Sequence, residues 1–164
     1  MKLSKLKVYN YRCFGDVEQV IDINNITAFI GNNSTGKTAA LLALNCLFSN
    51  NSNDRILKRS DFHLPKGKDP DELETQDLYI EVVFTFNELE DGKSGENSVP
   101  PFFQSLAVDE PKGKPYLRIR LEATWEKSNN TEGAIESKIY YITCPEKEEI
   151  REENKTKADR RDLD

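Results

Sequence analysis

Apolar and polar side chains alternate most regularly over residues 116–125, which predicts a β-strand with one buried and one solvated face. The polar positions that should face solvent are Arg118, Arg120, Glu122 and Thr124. After a polar turn over 128–133, the run 134–143 is the expected hairpin partner of this strand. The pattern therefore favours an antiparallel sheet that is wet on one side.

Three further segments in the first half of the chain have the pattern of strands. Residues 3–9 and 16–23 flank a turn-like stretch, and residues 78–86 place apolar side chains on one face by alternation. The segments 64–76 and 87–99 are polar and contain glycine, so both are predicted to be surface loops.

A different pattern surrounds Gly31. The preceding residues 25–30 are mostly apolar and predict a strand that runs directly into this glycine. A helix is expected from Lys37 to about Ser49. Because residues 39–48 are apolar on nearly every side, this helix is predicted to be buried against a sheet.

The last part of the chain has a different composition. From Pro145 onward 14 of 20 residues are charged and none is aromatic. Such a stretch cannot form a core, so residues 145–164 are predicted to be a solvated helix or disordered. The sequence stops within this charged segment, and we expect the chain to be truncated here.

The overall composition bounds the class of protein. The 164 residues are 37% hydrophobic, enough for one domain, and contain no apolar run of the roughly 18 residues that a membrane span requires. The start lacks a signal-peptide core, and three cysteines suit a reducing compartment, so we expect a cytoplasmic protein. A net charge of -6 makes the chain by itself a poor binder of nucleic acid, which requires phosphate neutralisation.

Residues 31–38 carry the chemistry. They match G-x-x-x-x-G-K-[ST], the phosphate-binding loop called Walker A, with the sequence Gly31, Asn32, Asn33, Ser34, Thr35, Gly36, Lys37 and Thr38. Glycines let such a loop turn its backbone N–H groups towards phosphate oxygens, and the following helix adds its positive N-terminal end. Lys37 is predicted to reach the β- and γ-phosphates of ATP, and the Thr38 hydroxyl to bind Mg²⁺.

Together, three motifs resemble those of a known family. The chain opens with L-x-V-x-N-Y-R-x-F around Asn10-Tyr11-Arg12, and Asn33 makes the loop G-x-N-x-x-G-K-T. With Ser60-Asp61-Phe62-His63, these motifs resemble the ATPase head of the Overcoming Lysogenization Defect (OLD) family nucleases, including Gabija anti-phage nucleases. Those heads are relatives of the ABC-type heads in chromosome-maintenance and recombination proteins. Ser34 departs from transporter-type ABC loops, which usually carry glycine there.

This resemblance implies an α/β fold, the lobe of an ABC-type ATPase head in which a strand–loop–helix core carries ATP and an antiparallel sheet flanks it. Residues 1–144 would form this N-terminal lobe, and Arg12 would approach the bound nucleotide. The Walker B, signature and Toprim nuclease parts would belong to later sequence. The parent would then be an ATP-dependent DNA endonuclease, in anti-phage defence or DNA processing, that contacts DNA through those missing parts. Its partner would be a second ATPase head, in a homodimer or higher oligomer.

Two other functions also fit a phosphate loop. One is a DNA-repair or chromosome-maintenance clamp head without a nuclease, which later sequence would distinguish by a long coiled coil. The other is an unrelated P-loop enzyme such as a small kinase, but residues 87–115 offer no obvious acceptor site.

The run ending in Asp109-Glu110-Pro111 imitates a Walker B strand. Only three apolar residues precede the acid pair, and residues 100–104 suit a helix start, so a helix-to-loop exit is predicted instead. The single histidine, His63, lies beside an aromatic residue, a setting that favours packing or surface exposure over catalysis.

Overall fold

The chain folds as strands with one long helix, seen in a computed structural model that describes residues 1–32, 36–86, 101–110, 113–130, 132–160 and 163. The strands are β1 (Lys2–Tyr9), β2 (Gln19–Asp22), β3 (Thr75–Thr85), β4 (Tyr116–Glu126), β5 (Ala134–Ile142) and β6 (Lys155–Lys157). The helices are α1 (Lys37–Phe48) and α2 (Pro101–Gln104). The loop predicted over 64–76 contains one 3-10 turn, Pro70–Glu72, and the loop predicted over 87–99 lies outside the described residues.

The strands form one antiparallel sheet in the order β2-β1-β3-β4-β5-β6. β3 and β4 pair along their whole lengths, from Thr75 opposite Glu126 to Thr85 opposite Tyr116. β4 then pairs with β5, which confirms the predicted antiparallel hairpin. The second predicted strand is shorter than expected, because only Gln19–Asp22 of residues 16–23 pair with β1.

One face of the sheet is apolar and packs against α1. The strand residues at its centre are each at most 1% exposed: Leu6, Val8, Ile80, Val82, Leu117 and Leu121. The helix contributes Ala39, Ala40, Ala43, Cys46 and Leu47. Burial of these apolar side chains stabilises the fold by about 25 cal/mol per Å² of apolar area removed from water. None of the helices in the described ranges is long and apolar enough to cross a membrane.

One expectation about the region around the phosphate loop is wrong, and another, the burial of α1 against the sheet, holds for one face of the helix. The strand predicted over 25–30 is not formed, and Ile26 and Ile30 are 91% and 94% exposed. An extended apolar run becomes a strand only where a neighbour supplies backbone hydrogen-bond partners, and no described strand lies beside this one. Helix α1 is buried on one face only, so that Leu41 is 53% exposed.

The opposite face of the sheet carries a buried ion-pair cluster. Glu81 of β3 is fully buried and accepts hydrogen bonds from Arg118 Nε at 2.9 Å and from Arg120 Nε at 2.6 Å. Lys7 Nζ lies 3.6 Å from the same carboxylate. The prediction that Arg118 faces solvent is therefore wrong, because the chain after β5 covers it and accepts its Nη1 hydrogen bond at the carbonyl oxygen of Cys144.

The charged C-terminal segment joins the fold over its described residues, contrary to the expected solvated helix or disorder. A 3-10 turn at Glu152–Asn154 leads into β6, which pairs with β5. Arg160 then donates from Nη1 to the carbonyl oxygens of Cys46, at 3.1 Å, and Leu47, at 3.2 Å, near the end of α1. The composition of the segment could not predict this, because the pairing of β6 uses backbone groups and the contact with α1 uses a single arginine.

Candidate functional site

The phosphate-loop motif lies between the exposed segment 25–30 and α1. Its residues Asn33, Ser34 and Thr35 lie outside the described residues. Gly31 and Asn32 are exposed at the start of the loop, and Thr38, the predicted Mg²⁺ ligand, is exposed in the first turn of α1. The two described ends of the motif are therefore accessible from solvent.

Gly36 occupies a position that only glycine fits. Its φ of 95° is in the left-handed region, which residues with a Cβ rarely adopt. A Cβ there would lie 3.0 Å from Phe14 Cζ and 3.1 Å from Cys13 Sγ, closer than ordinary contacts. The second glycine of the motif thus lets α1 begin directly against the turn that follows β1.

Lys37 is the first residue of α1, and its side chain folds back over the loop. The ammonium donates hydrogen bonds to the carbonyl oxygens of Gly31, at 2.6 Å, and Asn32, at 2.5 Å. The first turn of α1 contains no acidic residue, so the positive end of the helix dipole has no carboxylate of that turn against it. An ammonium and a helix N-terminus on one loop are suited to binding phosphate.

Arg12 lies in the turn between β1 and β2. The turn is closed by Asn10 N–H donating to the carbonyl oxygen of Gly15 at 2.9 Å, and the φ of Arg12 is 53°. The adjacent residue, Tyr11, is 1% exposed, and its hydroxyl lies 3.6 Å from the thiol sulfur of Cys46 in α1. Burial raises the pKa of Tyr11, so this side chain stays neutral and fastens the turn to the helix.

The third motif of the resemblance, residues 60–63, packs against this turn. Tyr11 and Phe62 form an isolated antiparallel bridge. The guanidinium of Arg12 pairs with Asp61 Oδ1, at 2.9 Å from Nε and 2.7 Å from Nη2, and His63 Nδ1 lies 2.7 Å from the Arg12 carbonyl oxygen. Sequence reasoning left Asp61 and His63 without a role, since the only signal for them was the resemblance of this segment.

A surface pocket of about 550 Å³ opens beside the turn, with Arg12, Arg59, Phe62 and His63 among its lining residues. Arg59 also stacks on Trp125, with its guanidinium carbon 3.8 Å from the ring centroid. Partial burial lowers the pKa of Arg59. Cationic groups and an aromatic ring around one pocket suit a ligand that is anionic and partly planar.

The acid pair Asp109-Glu110 is built differently from a Walker B strand. Helix α2 and a turn precede it, which confirms the predicted helix-to-loop exit. The Glu110 carboxylate accepts a hydrogen bond from the Tyr116 hydroxyl at the start of β4. Burial, together with this hydrogen bond, raises the pKa of Tyr116 to about 12.

The chain resembles known ATPases in sequence and in fold. A family model described as an AAA ATPase domain matches residues 1–163. A solved structure, from work on ATP-driven dimerization and DNA stimulated activation of SMC ATPases, is 14% identical and aligns with a TM-score of 0.55 over 99% of this chain and 75% of that chain. No curated protein matches. The structural likeness confirms the predicted α/β fold of an ABC-type ATPase head with an antiparallel sheet.

Proposed function

The chain belongs to the AAA ATPase domain family, and on this premise we propose that it is the nucleotide-binding lobe of an ABC-type ATPase head. The observation that carries the proposal is the Lys37 ammonium, held 2.6 Å from the Gly31 carbonyl oxygen at the N-terminus of a 12-residue helix. Phosphate oxygens of ATP would replace this carbonyl oxygen as acceptors of the Lys37 ammonium, and the spacing of the motif predicts backbone N–H donors to the same phosphates. The Thr38 hydroxyl would bind Mg²⁺.

Arg12 is the second residue that we assign to the nucleotide. It lines the pocket beside the turn, and its neighbours Cys13 and Phe14 contact Gly36 of the phosphate loop. Arg12→Ala in the full-length protein is expected to impair ATP turnover more than folding stability, because the side chain is 39% exposed and fills no core volume. Phosphate release and thermal melting measured together test this. Normal turnover with a lower melting temperature would make Arg12 structural.

The test of the loop itself is Lys37→Ala, measured by calorimetric titration with Mg–ATP. The substitution removes a charge directed at phosphate and no core volume, so binding should be lost while the fold is retained. Lys138→Ala is the matched control, because it removes an exposed lysine of β5 that has an ion pair of its own with Glu136. Unchanged affinity in Lys37→Ala would refute the site.

We assign the exposed apolar residues Ile26, Ile30 and Leu41 to contacts with further parts of the head. They lie on both sides of the phosphate loop and leave large apolar side chains in water. Covering each would be worth about 1.5–3 kcal/mol, and a partner strand would also satisfy the backbone of residues 25–30. In heads of this type such parts carry the Walker B and signature residues.

The chain by itself is therefore proposed to bind ATP weakly, without hydrolysing it or cutting DNA. Hydrolysis depends on contacts made only in the transition state, including a carboxylate that orients water, and Glu110 is engaged by Tyr116 instead. A phosphate-release assay on the purified chain tests this. Turnover that disappears in both Lys37→Ala and Glu110→Gln would overturn it and make Asp109-Glu110 a Walker B pair.

For the parent protein we propose an ATP-dependent DNA endonuclease of the OLD type, in phage defence or DNA processing. The motifs around Arg12 and Asp61 support it, while the net charge of -6 favours DNA contact through other parts. A second head, in a homodimer or higher oligomer, would complete the ATP site. The likeness to an SMC ATPase favours a second candidate, a clamp head without a nuclease. Downstream coding sequence separates them: a Toprim glutamate with a D-x-D pair, or a long coiled coil.

A further inference from the structure

The backbone of Arg12 has an unusual conformation for a residue that is not glycine. Arg12, with φ 53°, and Asn10, with φ 50°, are the non-glycine residues of the described chain that have positive φ. Asparagine tolerates this region because its short side chain bonds locally, whereas arginine has no such compensation. A residue like Arg12 keeps this conformation only where its surroundings fix it.

The segment 58–63 makes the contacts that fix it. The Arg12 N–H donates to the carbonyl oxygen of Asp61 at 2.8 Å, and the His63 N–H donates to the carbonyl oxygen of Asn10 at 2.9 Å. The His63 ring adds the contact of 2.7 Å between Nδ1 and the Arg12 carbonyl oxygen. Both backbone polar groups of Arg12 are thus held by residues about fifty positions later in the chain.

The Asp61 carboxylate holds the side chain of Arg12 as well. Asp61 is 4% exposed, and its Oδ1 atom receives both the Nε and the Nη2 groups of Arg12. Its other oxygen, Oδ2, accepts a hydrogen bond from the Lys58 N–H at 2.8 Å. A buried carboxylate held at both oxygens is rigid, so it fixes the direction of the guanidinium as well as pairing its charge. Because a guanidinium has five N–H donors, it can hold this carboxylate and a phosphate oxygen together.

The other side of the same turn touches the phosphate loop. Cys13 Sγ and Phe14 Cζ approach Gly36 so closely that a Cβ there would be 3.1 Å and 3.0 Å away. Gly36 has no side chain that could give way, so a displacement of the turn is transmitted to the backbone that precedes Lys37. The contacts therefore run without a break from Asp61 through the turn to the loop.

We propose that Asp61 is a positioning residue of the nucleotide site, which orients the guanidinium of Arg12 and holds the turn 10–15 against Gly36. The inference rests on the proposed function of Lys37 and Arg12. Asp61 acts through Arg12 and has no contact with the nucleotide. Removing its charge while keeping its shape therefore weakens nucleotide binding only as far as Arg12 contributes to it.

The experiment is a double-mutant cycle on the 164-residue chain, titrated with a fluorescent N-methylanthraniloyl ATP in the presence of Mg²⁺. Asp61→Asn is expected to weaken binding about tenfold, the effect of losing one charge-assisted contact, and Arg12→Ala to a similar extent. The double variant should bind no more weakly than Arg12→Ala, because both changes remove the same contact. Wild-type affinity in Asp61→Asn, or losses that add in the double variant, would overturn the proposal.

Two controls keep the outcome specific. Glu81→Gln removes another buried carboxylate paired with arginine, on the face of the sheet opposite α1, and should leave nucleotide affinity unchanged although it lowers stability. Loss of binding in Lys37→Ala with normal binding in Asp61→Asn defeats the positioning role alone, whereas normal binding in Lys37→Ala defeats the proposed function with it. If Asp61→Asn does not fold, Arg12→Lys tests the contact from the other side. It should bind about as weakly as Arg12→Ala, and wild-type affinity would overturn the proposal.

Discussion

Replacing Glu81 by glutamine should lower the free energy of unfolding by about 3–5 kcal/mol, the range for breaking a buried ion pair. The substitution keeps the side-chain volume, so the loss comes from charge alone. It leaves Arg118, which is 1% exposed, and Lys7, which is 5% exposed, with less compensation for their buried positive charges. Because a domain of this size is stable by about 5–15 kcal/mol in total, a loss of about 3–5 kcal/mol leaves the variant folded at all but the lowest total in that range.

Urea unfolding followed by circular dichroism measures this loss. The matched control is Glu136→Gln, which breaks an ion pair of 2.6 Å to Lys138 between exposed side chains and should leave the unfolding midpoint unchanged. A loss below about 1 kcal/mol for Glu81→Gln would contradict this reasoning, because it would mean that the cluster is not desolvated.

The same cluster sets a pH dependence. Burial alone would raise the pKa of Glu81, but Arg120, Arg118 and Lys7 hold it below its usual value. A carboxylate whose pKa is lowered in the folded state stabilises the fold above its unfolded pKa, about 4.3, and loses this contribution as the pH falls through the folded value. The difference in stability between the unaltered chain and Glu81→Gln should therefore shrink below about pH 4. A difference that stays constant on acidification would contradict this.

Three further changes test other contacts. Arg160→Ala removes both hydrogen bonds to the end of α1 and should lower the free energy of unfolding by about 1 kcal/mol in a urea titration. An unchanged midpoint would show that these hydrogen bonds do not stabilise the fold. The pKa of Tyr116 is raised to about 12, so its contribution to stability should be lost as the pH rises from about 10 through that value, and Tyr116→Phe should flatten this alkaline decline. Gly133→Ala places a Cβ against Trp125 Nε1 at a φ of 72° and should cost about 2–3 kcal/mol in the same titration, whereas full stability would show that the turn can shift.

The β4–β5 hairpin was predictable because a period of two over ten residues fits only a strand with one buried face. The same alternation assigned Arg118 to the solvated face, and the Arg118 side chain does point away from the apolar core. Whether Arg118 is covered depends on Cys144 and Pro145, which lie after β5 and accept its hydrogen bonds. Alternation identifies the face on which a side chain lies, but its solvent exposure depends on tertiary structure.

The segments 25–30 and 155–157 show that side-chain pattern alone does not decide whether a strand forms. Residues 25–30 have the apolar character of a strand but lack a neighbouring strand among the described residues, whereas the charged residues 155–157 form β6 because the edge of β5 is available to them. Strand formation depends on backbone pairing, and side-chain composition alone indicates only which segments would tolerate it. The helix α1, whose hydrogen bonds are local, was predicted almost to the residue.

The phosphate loop and its support differ in the same way. The chemistry of residues 31–38 is local, because adjacent N–H groups, the lysine and the helix start all follow from a fixed spacing. The support is tertiary: Arg12 and Asp61 lie 49 residues apart and meet because the turn after β1 and the segment after α1 pair across the Tyr11–Phe62 bridge. No spacing rule links two such positions. The positive φ of Arg12 reflects that pairing, because this backbone conformation is unfavourable for arginine unless tertiary contacts fix it. The segment 60–63 is therefore better explained by its contacts with Arg12 than by a catalytic role of its own.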